Sequence, residues 1–192
     1  MGKKYNKGNI KKFKPAIFLD RDGVICKEKG YITSFEQIEL YSFAKEAIKR
    51  IKLCGYRCII VTNQSAVARR LILEDELIKI HKQIQEFLDV DHIYYCPHYL
   101  KDNEMYCNCR KPNPGMILKG AKEYKIDLLK SFIVGDRASD IIAGKRAQIK
   151  TVLVKTGYGE KGLEENVAPD YVFMDLLDFV NFLEINFNKK EL

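Results

Sequence analysis

Two aspartates, Asp20 and Asp22 in FLDRDGV, sit two residues apart directly after a short apolar run. A carboxylate at such a position can attack phosphorus and form an acyl phosphate. A second carboxyl two residues on can protonate the leaving oxygen, then take a proton from the water that breaks the intermediate. Gly23 allows the tight turn this pairing needs. An Asx-type turn carrying two solvated acids would use the same residues.

Three further segments suit the same chemistry. In TNQS at 62–65, the Thr62 hydroxyl and nearby backbone N–H groups could hold a phosphoryl oxygen, or cap a helix. Lys111 in CRKPNPG could neutralise charge on a transferring phosphoryl group; standing alone it would read as a solvated surface lysine. GDRASD at 135–140 supplies Asp136 and, one helical turn on, Asp140, oxygen ligands of the kind a hard cation such as Mg²⁺ takes. A helix cap is the other reading of Asp136.

A second constellation is sulfur-rich. Cys96-Pro-His98 and Cys107-Asn-Cys109 form a C-x-H and C-x-C pair separated by eight residues. Three thiolates and an imidazole suit tetrahedral Zn²⁺, and four protein ligands close its shell, so the expected zinc site is structural. The loop runs straight into Arg110 and Lys111 and should hold both in place. Cys26, Cys54 and Cys58 lack such spacing and read as packing residues; His81 and His92 read as structural or exposed.

These residues need a scaffold. Apolar runs at 15–20, 56–62, 92–96, 131–136, 150–154 and 170–173 read as strands. Helical spacing marks 43–54, with Gly55 as its cap, and 74–88, with Leu77, Ile80, Ile84, Phe87 and Leu88 on one face. Helices are also expected over 114–124, 138–147 and 175–187. This alternation predicts an α/β fold, a three-layer α/β/α sandwich on a mostly parallel, Rossmann-like sheet. Ligands of such sheets bind beyond the carboxyl ends of the strands, where Asp20, Thr62 and Asp136 fall.

The chain of 192 residues is 46% hydrophobic, enough for a real core. Its net charge of +7 is concentrated: Lys3, Lys4, Lys7, Lys11, Lys12 and Lys14 crowd the first 14 residues without an acid, and the remainder is close to neutral. Residues 1–14 are read as a basic flexible tail and 15–192 as a single domain with a zinc loop at 96–109. No apolar stretch is long enough to span a bilayer, and no signal-peptide core follows the basic start. A cytoplasmic protein with no membrane partner is expected.

Asp20–Asp22, Thr62, Lys111 and Asp136–Asp140 resemble the four ordered motifs of the haloacid dehalogenase superfamily of phosphatases. FLDRDGVI, GYIT, VTNQS, YYCPH, CNCRKPNPGM and VGDR narrow this to its heptose-bisphosphate phosphatase branch, a likeness that covers nearly all the chain after the tail. The resemblance implies a capless phosphatase domain with Asp20 as nucleophile and Asp22 as proton carrier. It implies Mg²⁺ held by the Asp20 carboxylate, the Asp22 carbonyl and Asp136, with Asp140 behind them. It places substrate contacts at Glu28, Lys29, Gly30, Tyr31, Asn63, Gln64, Ser65, Arg110 and Arg137. Three residues depart from the pattern: Ala66 and Arg70 stand where glycines are usual, and Arg137 where lysine is common.

The implied reaction removes the C7 phosphate of D-glycero-D-manno-heptose 1,7-bisphosphate through an aspartyl phosphate, toward nucleotide-activated heptose for lipopolysaccharide. Histidinol-phosphate phosphatases share the zinc loop and are the first rival; paired cations at Arg110 and Arg137 favour the bisphosphate. A nucleic-acid 3′-end phosphatase would suit the lysine tail, but the near-neutral remainder speaks against a nucleic-acid partner. A zinc-bearing interaction module on a dead enzyme would not need all of Asp20, Asp22, Thr62, Lys111 and Asp136. The partner expected is a small sugar bisphosphate, and the state expected is a monomer.

Overall fold

The computed structural model describes residues 13–99, 107–161 and 167–188. Most of the lysine-rich tail and the middle of the predicted zinc loop lie outside the described residues.

Among these residues are six strands: β1 (Ala16–Leu19), β2 (Arg57–Asn63), β3 (His92–Cys96), β4 (Phe132–Gly135), β5 (Lys150–Val154) and β6 (Tyr171–Phe173). Helices α1 (Ala44–Leu53), α2 (Glu74–Leu88), α3 (Gly115–Tyr124), α4 (Ala138–Arg146) and α5 (Leu176–Asn188) connect or follow them. The strands form one sheet in the order β3-β2-β1-β4-β5-β6. Every neighbouring pair is parallel, so the sheet expected to be mostly parallel is wholly so.

A parallel sheet is covered on both faces, which is why its strands read as near-continuous apolar runs. Ile17 and Leu19 of β1 join Ile60, Val134 and the apolar faces of α1, α2 and α5 in one core layer. Phe18 joins Ile59, Val61, Ile133 and residues of α3 and α4 on the other side. These are the three predicted layers.

Helix α1 buries Ala44, Ala47, Ile48 and Ile51, and Gly55 beyond its end has φ +81°. That left-handed conformation suits a helix-terminating glycine. Helix α2 corrects one expectation. The helical spacing puts Phe87 on the apolar face, yet it is 49% exposed, with Lys45 Nζ 4.4 Å from its ring centre. At 3.6 residues per turn it stands roughly 80° from the middle of the buried stripe. His81 lies within that stripe and is buried.

The chain runs outward from β1 to β2 and β3, then returns to the other side of β1 as β4. A ligand crevice is expected at such a reversal. Asp20, Thr62 and Asp136 stand at the carboxyl ends of the three strands around it. Among the described residues no cap domain is inserted over this edge, as predicted.

Candidate active site

The backbone N–H of Asp20 donates to Val134 O at 2.9 Å, tying the residue to β4. Lys111 Nζ lies 2.9 Å from Asp20 Oδ1 and 2.6 Å from Asp140 Oδ1, and all three side chains are nearly excluded from water. Lys111 arrives on a loop rather than a regular element, so its backbone needs a clamp. Asn63 provides one: its Nδ2 donates to Lys111 O and its Oδ1 accepts from Lys111 N, each at 3.0 Å. Burial opposes the lysine's charge, but Asp140 and Asp20 outweigh it and hold Lys111 above its ordinary value. Asp20 is pushed up to about 8, chiefly by burial, with Asp140, Asp136 and Asp22 adding to the rise and Lys111 opposing it.

Asp136 sits in a cradle that only small residues permit. Its Oδ2 accepts from Tyr158 N at 2.8 Å. A Cβ on Gly23, which has φ +82°, would come within 2.1 Å of that oxygen, and one on Gly157, at φ +59°, within 2.2 Å. Thr156 Oγ1 donates to Gly23 O at 2.5 Å, fixing the two turns together. Oδ1 of Asp136 is buried without a hydrogen-bond partner. Carboxylate oxygens of Asp20, Asp136 and Asp140 lie within 4.8 Å of one another. Three crowded carboxylates, one with an orphaned oxygen, fit a hard divalent cation. Burial pushes Asp136 up to about 7, with the hydrogen bond from Tyr158 N opposing the rise and the Asp140 charge adding to it.

Asp22, Glu28, Gly30, Tyr31, Thr62, Asn63, Gln64, Ser65, Arg110 and Arg137 line one cavity of about 510 Å³ with Asp20 and Lys111. The structure thus gathers nearly every sequence-read candidate. Lys29 is not among the lining residues; its ammonium pairs with Glu39 at 2.8 Å. Gln64 is buried, spanning Asp22, Thr62 and Arg21. Arg137 pairs with Glu28 at 2.9 Å and lies over the Tyr158 ring at 3.7 Å.

Several residues of this region escaped sequence reasoning. Arg69 lines the cavity with its guanidinium 3.6 Å from the Tyr99 ring centre. Arg21, the middle residue of the D-x-D segment, is 1% exposed and bonded to Asp22, Gln64 and His81. Its only signal was a charged residue next to a strand with no acid at helical spacing to pair it. His92, read as structural or exposed, opens β3 away from the cavity and is half-buried against Tyr94 and Tyr124.

The sulfur cluster also converges. Cys109 Sγ lies 3.2 Å from Cys96 Sγ and 3.3 Å from His98 Nδ1; Cys96 Sγ lies 3.5 Å from His98 Nδ1 and 3.6 Å from Cys107 Sγ. These separations exclude disulfides. They are close to the edge of about 3.8 Å of a tetrahedron with Zn–S bonds of about 2.3 Å. Arg110 Nη1 donates to His98 O at 3.0 Å, so the loop does hold this arginine directly. Cys26, Cys54 and Cys58 are buried packing residues, as read.

Comparison with known proteins decides the lineage. A family model described as HAD-hydrolase-like matches residues 108–179. A D-glycero-beta-D-manno-heptose-1,7-bisphosphate 7-phosphatase of Pasteurella multocida is 44% identical over 153 residues, covering 75% of this chain and 83% of that one. Its counterpart in Haemophilus influenzae is 38% identical over 178 residues, covering 88% and 96%. The chain belongs to the heptose-bisphosphate phosphatase family of HAD-like hydrolases. It is therefore a phosphomonoesterase.

Crystallography of this family adds a ligand clue. The D,D-heptose 1,7-bisphosphate phosphatase of B. bronchiseptica, complexed with magnesium and phosphate, superposes with a TM-score of 0.79 at 33% identity, covering 90% of this chain and 99% of that one. One departure from the family pattern now has a physical face. Arg70, at a position where the family pattern has glycine, adopts φ +57°. Ala66 is buried and not in that left-handed region, so a methyl group is accommodated there.

Proposed function

We propose that this enzyme removes the C7 phosphate of D-glycero-D-manno-heptose 1,7-bisphosphate. The observation that carries the reading is one cavity holding Asp20 and Lys111 together with Arg110 and Arg137. A bisphosphate needs both a reacting end and a cationic place for the phosphate it keeps. The names of the relatives support the same substrate.

In this mechanism Asp20 attacks phosphorus and the phosphorus–oxygen ester bond breaks. Asp22 gives its proton to the departing C7 oxygen. A water then attacks the aspartyl phosphate, Asp22 takes its proton, and inorganic phosphate leaves. Thr62 and Lys111 steady the transferring group, with Lys111 offsetting charge as it develops. Mg²⁺, held by Asp20, the Asp22 carbonyl and Asp136 with Asp140 behind, would supply further charge neutralisation when bound. Glu28, Gly30, Tyr31, Asn63, Gln64, Ser65, Arg110 and Arg137 shape the place of the sugar, with Lys29 at its margin.

Cys96, His98, Cys107 and Cys109 hold a structural Zn²⁺ in this reading, because three sulfurs and a nitrogen at tetrahedral spacing match its preferences. Residues 15–192 act as one phosphatase domain, to which the basic tail of residues 1–14 is dispensable for turnover.

A phosphate-release panel tests the assignment, using both anomers of the heptose bisphosphate, histidinol phosphate and 3′-phosphorylated DNA. The bisphosphate should lead in kcat/KM, and Asp20→Asn should abolish its turnover. A preference for histidinol phosphate or DNA would overturn the substrate, and near wild-type rates from Asp20→Asn would overturn the chemistry.

A further inference from the structure

Arg21 occupies the position between the two catalytic aspartates, and its side chain is one of the largest fully buried in the described chain. A buried guanidinium is expensive unless its donors are met. Here they are met by three residues from three parts of the sequence. Nε lies 3.2 Å from each oxygen of Asp22. Nη2 donates to Asp22 Oδ2 at 2.9 Å and to Gln64 Oε1 at 3.0 Å. Nη1 lies 3.2 Å from His81 Nε2.

The direction of the last bond follows from the chemistry. A guanidinium has donors only, so His81 Nε2 must accept, which puts the ring proton on Nδ1. His81 is itself wedged against the Tyr95 ring, with centres 5.3 Å apart. Gln64 closes the network: its amide donates to Asp22 Oδ2 at 3.1 Å and to Thr62 Oγ1 at 2.8 Å.

This network has no evident task in the core, where an apolar side chain of similar volume would be less costly. Its geometry converges on Asp22. A carboxylate on a turn would otherwise rotate, whereas proton transfer needs the oxygen within hydrogen-bond reach of the leaving group and then of the water. A planar fork gripping both carboxylate oxygens fixes the plane of that group as a lysine could not. The loads are unequal. Oδ2 accepts from Arg21 Nη2 and Gln64, while Oδ1 has the shared Nε contact and the thiol of Cys26 at 3.4 Å.

We propose that Arg21, braced by His81 and Gln64, is the positioning residue of Asp22, aiming its carboxylate for both proton transfers. The proposal rests on Asp22 being the proton carrier.

The test reads leaving-group dependence at saturating Mg²⁺ and fixed pH. First-turnover rates and steady-state constants are measured on phenyl phosphate and p-nitrophenyl phosphate, the second of which departs without needing a proton. Arg21→Lys should lose about 10²-fold in first-turnover rate on phenyl phosphate and only about fivefold on p-nitrophenyl phosphate, the size expected from losing a proton donor. KM should change little. With p-nitrophenyl phosphate an initial burst should appear, because water activation in the second step slows as well. His81→Phe, which keeps a ring beside Tyr95 but removes the acceptor, should show the same pattern in smaller measure.

An equal loss on both phosphates in Arg21→Lys and His81→Phe would overturn the proposal, since damage to the fold does not distinguish leaving groups. Rates within twofold of wild type would overturn it too. Asp22→Asn is the control: if it does not penalise phenyl phosphate selectively, Asp22 is not the proton carrier and the proposal falls with that assignment.

Discussion

Lys111 Nζ stands 2.9 Å from Asp20 Oδ1, with both side chains largely shielded from water, and it touches Asp140 from the same position. The lysine does two things there. It offsets the charge of two buried carboxylates, and it opposes the upward push that burial gives Asp20. Its removal should therefore act on stability and on catalysis together.

Lys111→Ala should destabilise the metal-free fold by about 3–5 kcal/mol, the usual cost of leaving buried charge uncompensated. Its kcat should fall by about 10²–10³-fold on bisphosphate and monophosphate substrates alike, since charge stabilisation at the transition state is lost for both. Thermal melts of the metal-free protein and steady-state kinetics check this. A melting temperature equal to wild type would contradict the pairing.

The metal pocket makes a pH prediction whose sign is fixed. Burial raises Asp20 to about 8 and Asp136 to about 7. An acid raised on folding takes up a proton as the chain folds, so the metal-free protein loses stability as pH rises from the ordinary carboxylate value of 3.8 through those values. A cation needs the charged forms and competes with the protons. The rise in melting temperature on adding Mg²⁺ should thus be larger at pH 8.5 than at pH 6. A shift independent of pH would mean the cation binds elsewhere.

The sulfur cluster should carry about one zinc per chain, because one tetrahedral site uses all four ligands. A chelator that strips Mg²⁺ should stop activity reversibly and leave zinc bound. Cys109→Ser should release zinc and lower the melting temperature. Elemental analysis and calorimetry measure both, and a zinc-free preparation of full stability would contradict the assignment.

Much of this architecture was legible because it rests on local rules. Ile17 and Leu19 alternate with Phe18 in a run that only a doubly covered strand requires, and Asp20 breaks the run where the crevice begins. The spacing of Cys96, His98, Cys107 and Cys109 could be read because its chemistry is sequence-local. Arg21 could not be read in that way. A charged side chain beside a strand end is ordinarily solvated, and its partners His81 and Gln64 lie 60 and 43 residues away. His81 looked structural or exposed for the same reason. Phe87 misled because an apolar residue at the margin of a helical stripe can stay half exposed, with a lysine ammonium over its ring instead of the core.

The last prediction separates the two cations next to each other in sequence. Lys111 contacts Asp20 and Asp140, which in the proposed mechanism assigns it to the reacting phosphate. Arg110 instead has one nitrogen on His98 O and lines the same cavity. An arginine tethered at one nitrogen keeps other donors for a phosphate that does not react. Such a contact binds ground state and transition state alike, so losing it raises KM and spares kcat. Arg110→Ala should raise KM for the bisphosphate by about tenfold or more, consistent with about 1.5–3 kcal/mol for a charged hydrogen bond. On a monophosphate lacking the second group, KM should barely move. Steady-state kinetics of Arg110→Ala and Lys111→Ala on both substrates decide the matter. Equal damage from Arg110→Ala on both would mean the arginine serves the reacting phosphate, and the place of the retained one would have to be sought at Arg137 or Arg69.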